Sequence, residues 1–245
     1  EKFGLAPAQA REALRLANAS PWLEPLGCHL HLGSLLADPE PYLEAARRAL
    51  DFADGSGLQL RYLDMGGGFS APLAPGGDPF PFARLGPPLA ALLAGRETVL
   101  VVEPGRFLVG PAGLLLTRVI QVKERGRRRF VIVDGAMNDF LRPSLYGGEH
   151  LVWPAAAPPP GEIPRGTTDV VGPVCESGDF LARDRELPPV APGDLLALFG
   201  AGAYGSAMAS RYNSRRLPAE VILVGGEPRL ARERDGFADL WKGEH

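Results

Sequence analysis

Hydrophobic and polar positions follow a different period in the two halves of the chain. Up to about residue 110, segments with apolar residues every three to four positions alternate with short apolar runs that end in glycine-containing polar motifs. The first pattern predicts amphipathic helices and the second predicts buried strands. We predict helices over 7–19, 39–55 and up to about residue 95, with strands over 26–32, 58–65 and 98–102. Three helix–strand repeats of this kind favour a parallel sheet covered by helices.

The second half lacks the helical period and is predicted to be mainly β. Apolar runs predict strands over 114–122, 129–133, 170–174, 194–199 and 219–224. Gly126 marks a turn between the first two, and Gly225-Gly226 turns the last into a further short strand. The Pro- and Gly-rich stretch 154–166 is predicted to be a surface loop. We therefore predict an α/β domain over 1–110 and a β domain over 111–245.

Composition narrows the classes of partner. The 245 residues are 45% hydrophobic and 22% charged, with a net charge of -3, which favours a folded protein and argues against a general nucleic-acid surface. No apolar stretch reaches the roughly 18 residues of a membrane span. Two cysteines give no disulfide framework, so we expect a reducing, cytoplasmic setting. Cys28, on a helix-covered strand, is expected to fill core space.

Each predicted strand of the first half ends in residues that can bind an anionic ligand. In a parallel barrel these carboxyl ends form the active-site face. An imidazole can stack on an aromatic ring, and glycines let the backbone N–H groups approach an anion closely. A carboxylate can bind a cationic group of a ligand, and a guanidinium can bind an anionic one. Taken singly, the motifs also fit a core histidine, a tight turn and a surface ion pair. They are His31-x-Gly33-Ser34, Gly66-Gly67-Gly68 and Glu103-Pro104-Gly105-Arg106.

The second half carries a thiol beside a carboxylate, in a Gly- and Pro-framed loop. The negative charge of Glu176 disfavours the thiolate of Cys175, so the thiol is suited to proton donation, and the carboxylate is suited to hold a cation. A turn with a buried Cys and a solvated Glu is the alternative. Arg142 and Tyr146 form a second candidate group, suited to a substrate carboxylate. Tyr204, among small residues, is either a ligand-binding phenol or a turn residue.

Together these motifs resemble the fold type III pyridoxal-phosphate decarboxylases. Their order along the chain matches that family, and the Cys-Glu pair with the Arg-Pro-x-Leu-Tyr segment is similar to its diaminopimelate branch. The ornithine branch carries Cys-Asp instead. The matching segments are His29-x-His31-x-Gly33-Ser34, Leu63-Asp64-Met65-Gly66-Gly67-Gly68-Phe69, Glu103-Pro104-Gly105-Arg106, Arg142-Pro143-Ser144-Leu145-Tyr146, Cys175-Glu176-Ser177-Gly178-Asp179, and Ala201-Gly202-Ala203-Tyr204 with Tyr212-Asn213.

The resemblance implies a fold, a cofactor and a reaction. The fold would be α/β plus all-β: the C-terminal portion of a TIM-like β/α barrel, followed by a β-sandwich or barrel-like domain. The cofactor would be pyridoxal 5'-phosphate, with no metal. The reaction would be decarboxylation of meso-2,6-diaminopimelate to L-lysine and CO2, the last step of lysine biosynthesis. The enzyme would be a head-to-tail homodimer with shared active sites.

The resemblance also implies a role for each matched residue. His31 would stack on the pyridine ring, and Glu103 would keep its nitrogen protonated. The phosphate would be held by Ser34, by the Gly66-Gly67-Gly68 turn and by the backbone at Pro104-Gly105, near Arg106. The guanidinium groups of Arg106 and Arg142, with Tyr146, would bind the remote substrate carboxylate, and Glu176 the remote ammonium. Tyr204 would contact both cofactor and substrate. Cys175 would deliver the proton that replaces CO2, across the dimer interface.

One family feature has no match. The Schiff-base lysine of the family lies on an early barrel strand, upstream of the His-x-Gly-Ser motif, whereas Lys2, Lys123 and Lys242 lie in other contexts. We therefore expect five earlier strands and that lysine to lie outside these 245 residues, and the isolated chain to be inactive. Two alternatives stay open: a non-catalytic homologue that binds partner subunits, and a decarboxylase of another amino acid or polyamine precursor.

Overall fold

A computed structural model describes residues 2–244 and divides them into two units. The first comprises the chain up to Ala71 together with Asp78–Leu108, and the second comprises Pro72–Gly77 together with the chain from Val109 onward. The segment Pro72–Gly77 therefore belongs with the second unit, although it lies within residues 1–110. The reason is local, since the carbonyl of Leu73 accepts a hydrogen bond from the backbone N–H of Leu151 at 3.3 Å.

The first unit is a three-stranded parallel sheet with helices, as predicted. The sheet order is β1-β2-β3, and all neighbours are parallel. The elements are α1 (Pro7–Ala19), β1 (Gly27–His29), α2 (Glu40–Ser56), β2 (Tyr62–Asp64), α3 (Phe82–Leu93), β3 (Val99–Val101) and α4 (Gly105–Val109).

The three strands are shorter than the apolar runs that predicted them. Pairing does not stop at their ends, however, because Leu30 N donates to Asp64 O at 2.8 Å and Met65 N donates to Val101 O at 3.0 Å. These bonds fix the backbone beyond the regular ladder. They hold the loops that follow β1 and β2 beside the adjacent strand.

The core of the first unit lies between the sheet and α2 and α3. Asp38 Oδ1 accepts a hydrogen bond from Glu40 N at 3.2 Å at the start of α2, and left-handed Gly57 follows its last residue. The buried face of α2 repeats at three to four residues and packs on Leu63, Met65 and Phe69. This face consists of Tyr42, Leu43, Ala46, Ala49, Leu50 and Ala53.

The second unit is a six-stranded sheet with a separate two-stranded hairpin. The six strands have the order β6-β9-β4-β5-β7-β8, and β10 and β11 pair antiparallel. Apart from short 3-10 turns, α5 is the only helix among the described residues beyond α4. The elements are β4 (Leu114–Arg125), β5 (Arg128–Val133), α5 (Arg142–Tyr146), β6 (Val152–Pro154), β7 (Arg165–Val171), β8 (Phe180–Arg185), β9 (Leu195–Phe199), β10 (Glu220–Val224) and β11 (Glu227–Arg232).

Most predicted strands of this unit are confirmed, and three elements were missed. The hairpin of β4 and β5 turns at Gly126, whose φ is 62°, and β9, β10 and β11 lie where the apolar runs place them. The strand predicted over 170–174 is wrong in its bounds, because β7 ends at Val171. β6, β8 and α5 were not predicted. β6 is three residues long, and β8 is interrupted in register and carries left-handed Asp184.

None of the helices within residues 2–244 has the length and apolar character needed to cross a membrane.

Candidate active site

The face of the β1-β2-β3 sheet that points away from α2 and α3 carries the polar residues of the first unit. Because side chains alternate along a strand, buried Leu63 and Met65 point to the helices, whereas Tyr62 and Asp64 point to the other face. The register pairs His29 with Asp64, and Asp64 with Val101. Polar groups from two strands therefore stand side by side, close to the carboxyl ends of the strands.

The triplet Gly66-Gly67-Gly68 packs against the backbone on both sides, which explains why all three residues are glycine. A Cβ at Gly66 would overlap the carbonyl of Leu30 and lie 3.3 Å from Nδ1 of His31. A Cβ at Gly67 would overlap the carbonyl of Glu103, and one at Gly68 the carbonyl of Gly33. The triplet thus joins the loops that follow β1 and β3.

Acidic and imidazole groups meet beside this glycine turn. Nε2 of His29 lies 3.8 Å from Oε2 of Glu103, and both side chains are more than half exposed. One ligand atom of each of His29, Asp64 and Glu103 lies within 4.8 Å of the others. Asp64 Oδ1 also accepts a hydrogen bond from Gly66 N at 2.9 Å. The arrangement can meet a protonated nitrogen heterocycle with a carboxylate.

The remaining candidates of the first unit lie in the loops that follow these strands. Ser34 is exposed and precedes Leu35, whose φ of 58° is left-handed, and Leu36 then bridges to Phe69. Arg106 is partly buried in α4. The backbone of this loop set is therefore constrained, while the hydroxyl of Ser34 is open to a ligand.

Tyr42 supports the glycine turn from the core. Its side chain is fully buried, stacks on Phe69 with ring centres 4.6 Å apart, and donates from its hydroxyl to Gly67 O at 3.0 Å. Burial raises the pKa of Tyr42 to about 12, because the phenolate would lose its hydration. The hydroxyl therefore stays a donor at neutral pH.

In the second unit, a buried carboxylate holds the loop that carries Cys175 and Glu176. Asp179 is 5% exposed, and its two oxygens accept hydrogen bonds from Met137 N at 2.7 Å and Val174 N at 2.6 Å. The loop is thereby tied to the segment after β5. Cys175 and Glu176 themselves are exposed, so the thiol and the carboxylate face solvent.

The short helix α5 brings a buried guanidinium to the same part of the second unit. Ser144 Oγ donates to the carbonyl of Gly178, which joins α5 to the Cys175 loop. The guanidinium carbon of Arg142 lies 5.6 Å from the ring centre of Tyr146 and 5.7 Å from that of Tyr204. Two aromatic rings at these distances stabilise a cation.

A second buried carboxylate, Asp139, holds the 210–215 segment. Asp139 Oδ2 accepts from Ala136 N at 2.8 Å and from Arg215 at 3.4 Å. Burial raises the pKa of Asp139, while the Ala136 N–H and the Arg215 charge oppose the change. Arg215 also donates from Nε to Asn138 Oδ1 at 2.9 Å. This segment presents the hydroxyl of Tyr212 to Oε2 of Glu176 at 3.4 Å.

Residues 34–202 match the family model described as the pyridoxal-dependent decarboxylase, C-terminal sheet domain. This match covers more than half of the chain. The chain belongs to the pyridoxal-dependent decarboxylase family. The sequence-based prediction of the family is therefore confirmed.

Curated relatives and solved structures agree with this assignment. The chain is 39% identical to the diaminopimelate decarboxylase of Methanothermobacter thermautotrophicus, covering 100% of this chain and 59% of that protein. It is 44% identical to that of Neisseria meningitidis, covering 96% and 57%. The structure of Helicobacter pylori diaminopimelate decarboxylase complexed with L-lysine superposes with a TM-score of 0.88 at 39% identity, covering 99% and 60%. The chain thus spans about 60% of the length of these relatives.

The likeness identifies the two units within this pyridoxal-dependent decarboxylase fold. The first unit has the parallel strands and covering helices of a partial β/α barrel, and the match to the family's sheet-domain model runs through residues of both units. The predicted fold class is therefore confirmed. In a barrel, the face of β1–β3 that carries His29, Asp64 and Glu103 is the one that points inward.

The polar face of the first unit fits the non-covalent part of a pyridoxal-phosphate site. Glu103 offers an exposed carboxylate that could meet a protonated ring nitrogen, and Nδ1 of His31 lies beside the glycine turn. None of the three lysines of the sequence lies on β1–β3 or in the loops that follow them. A covalent anchor is therefore not part of this face.

Sequence reasoning found the exposed chemical groups and missed their supports. No role was assigned to Asp179, Arg215 or Tyr212, although the sequence segments quoted for the family include two of them. Their partners lie 36 to 77 residues away along the chain. One general rule could have pointed to Asp179: a carboxylate beside glycines in a loop often accepts hydrogen bonds from backbone N–H groups.

Proposed function

We propose that this chain forms the cofactor- and substrate-binding part of an enzyme that decarboxylates meso-2,6-diaminopimelate to L-lysine and CO2. The observation that carries the proposal is in the second unit. There, the Ser144–Gly178 contact joins the helix of Arg142 to the loop of Glu176, so that a guanidinium and a carboxylate belong to one connected structure. The remote end of meso-diaminopimelate carries the complementary carboxylate and ammonium.

The proposed cofactor is pyridoxal 5'-phosphate, which when bound supplies an electron sink for the pair left by the departing carboxylate. Glu103 would hold a proton on the ring nitrogen, and His31 would cover the ring face. Ser34, the glycine turn and the backbone at Gly105 would bind the phosphate. This assignment rests on the constrained loops at the ends of β1–β3 and on the family match.

The substrate would be held by charge and positioned for protonation. Arg142, buried beside the rings of Tyr146 and Tyr204, would bind the remote carboxylate. Glu176 would bind the remote ammonium. Cys175, next to Glu176 and exposed, would donate the proton that replaces CO2. We further propose that two copies of the protein form a homodimer with shared sites.

Substrate selectivity tests this proposal. The complete gene product, supplied with pyridoxal 5'-phosphate, is expected to release CO2 from meso-diaminopimelate with a kcat/KM at least about 100-fold above that for L-ornithine, because ornithine lacks the remote carboxylate that Arg142 would bind. Arg142→Ala should reduce this preference sharply. Equal or faster turnover of L-ornithine would assign the protein to another decarboxylase of the family, and no turnover of any amino acid would favour a non-catalytic homologue.

A further inference from the structure

We propose that Tyr212 is a positioning residue that orients the Glu176 carboxylate toward the substrate ammonium. The inference rests on the proposed function, and it concerns a residue that has no role in the cofactor and substrate contacts described above. Tyr212 would act through Glu176 and would set how strongly the enzyme binds a primary ammonium at the remote end of its substrate.

The two oxygens of Glu176 have separate donors. Oε1 accepts from Gly178 N, within the same loop, and Oε2 accepts from the hydroxyl of Tyr212, each at 3.4 Å. Both distances exceed those of a well-formed hydrogen bond. Hydrogen bonds of free active sites are often long and tighten when the ligand binds. The pair of donors is therefore placed to set the plane of the carboxylate once these contacts tighten, with lone pairs left for an ammonium.

The backbone after Tyr212 is strained in a way that requires a reason. Asn213 has φ 57° and ψ 35°, and Ser214 has φ 56°, so two consecutive residues other than glycine are left-handed. Each such residue costs on the order of 1 kcal/mol or more, and such strain concentrates at functional sites. The strained turn directs Tyr212 to Glu176, which is 36 residues earlier in the chain.

Both ends of the strained turn are anchored to buried groups. Before it, Asn138 Nδ2 donates to Ser210 O at 3.0 Å, and Ser210 N donates to Asn138 O at 2.9 Å. After it, Arg215 donates to Asn138 Oδ1 at 2.9 Å and contacts Asp139. Asn138 is 2% exposed. A residue that served only as a solvated surface ring would not need such an anchored, strained backbone.

The test removes the hydroxyl and keeps the ring. In the complete gene product loaded with pyridoxal 5'-phosphate, Tyr212→Phe is expected to raise the Kd of L-lysine, measured by calorimetry, and the KM for meso-diaminopimelate about 3- to 10-fold, the range that one hydrogen bond of ordinary net strength gives. We expect kcat and the thermal midpoint to stay unchanged, because a half-exposed hydroxyl that acts on Glu176 serves neither the proton transfer nor the core.

Two further variants separate this role from a general disturbance of the segment. In a Glu176→Gln background, Tyr212→Phe should change the Kd of L-lysine less than about twofold, as expected once the coupled partner is gone. Arg211→Gln, which breaks the adjacent Arg211–Asp235 ion pair of 2.7 Å, should leave the Kd of L-lysine unchanged. Equal effects of Tyr212→Phe in both backgrounds, or an Arg211→Gln effect as large as that of Tyr212→Phe, would overturn the proposal.

The wild-type measurements show which inference fails. A wild-type protein that neither binds L-lysine nor decarboxylates meso-diaminopimelate overturns the proposed function, and the role of Tyr212 with it. Wild-type binding and turnover with an unchanged Tyr212→Phe variant overturn the role of Tyr212 alone.

Discussion

The hydroxyl of Tyr42 links the core of the first unit to its glycine turn, and its removal tests that link. Tyr42→Phe keeps the ring stacked on Phe69 but takes away the donor that Gly67 O accepts at 3.0 Å. The carbonyl lies in a buried turn, so its lost partner is not simply replaced by water. We expect the variant to fold with a less stable first unit and a looser turn.

Two estimates apply to two different properties of Tyr42. A buried polar group that loses its partner costs about 1–3 kcal/mol. The second property is ionisation: a pKa raised by burial from 10.0 to about 12 means that ionisation of Tyr42 costs about 3 kcal/mol more in the folded protein than in the unfolded chain. Because the folded pKa is the higher one, this stabilisation is complete below pH 10 and is lost as the pH rises toward 12.

Hydrogen exchange of α2 measures the first estimate. Peptides covering Glu40–Ser56 should exchange about 5- to 150-fold faster in Tyr42→Phe at neutral pH, as 1–3 kcal/mol implies, while peptides of β5 in the second unit stay unchanged. Tyr62→Phe removes a phenol hydroxyl from a 42% exposed side chain on β2 and is the matched control, expected to change stability by less than about 0.5 kcal/mol.

A phenolate titration measures the second estimate. Of the five tyrosines in the sequence, one should ionise only near pH 12, and this late step should be missing in Tyr42→Phe. Unchanged exchange of α2 would show that the hydroxyl does not hold the glycine turn, and a late step that persists in the variant would show that Tyr42 is not the group that ionises there.

Three other perturbations have defined outcomes. Cys175→Ala should slow turnover of the loaded enzyme about 10²–10⁴-fold with an unchanged thermal midpoint, since the thiol is exposed and serves as an acid; lost stability at normal turnover would contradict this. Asp179→Asn leaves one backbone N–H facing an amide and should cost about 2–3 kcal/mol in urea unfolding. Burial raises the pKa of Asp139, so the stabilisation that this shift gives the folded protein is complete below about pH 4 and declines as the pH rises through the folded pKa. The thermal midpoint of Asp139→Asn should therefore rise relative to that of the wild type between pH 4 and 7. A difference between the two midpoints that stays constant over this range would refute the raised pKa.

The elements with strong local signals were predictable from the sequence. The helix α2 has an apolar stripe at three- to four-residue spacing and an Asp38 carboxylate that accepts from Glu40 N at its start, and it ends at Ser56, one residue beyond its predicted end. The hairpin of β4 and β5 is similar, because Gly126 can take the left-handed conformation that the turn needs. The parallel order of β1–β3 followed from the alternation of helices and strands.

The elements with weak local signals were not predictable. β6 is three residues long, ends in Pro154 and pairs only with β9, so its existence depends on a partner more than 40 residues away. β8 pairs with β7 through a shifted register and contains left-handed Asp184. β6 and β8 are therefore extended because each pairs with a neighbouring strand. The apolar pattern of either segment does not by itself predict a strand.

The candidate site shows the same division between local chemistry and distant support. Cys175 and Glu176 are visible in the sequence because their chemistry belongs to the two side chains. The loop that carries them is held by Asp179, which accepts from Met137 N, and Oε2 of Glu176 accepts from the hydroxyl of Tyr212, 36 residues later in the chain. A substitution at a supporting residue should therefore change the geometry of the site while every group with visible chemistry is retained. For this reason, the presence of the exposed motifs alone does not establish a working site, and the variants at Tyr212 and Asp179 test what the motifs leave open.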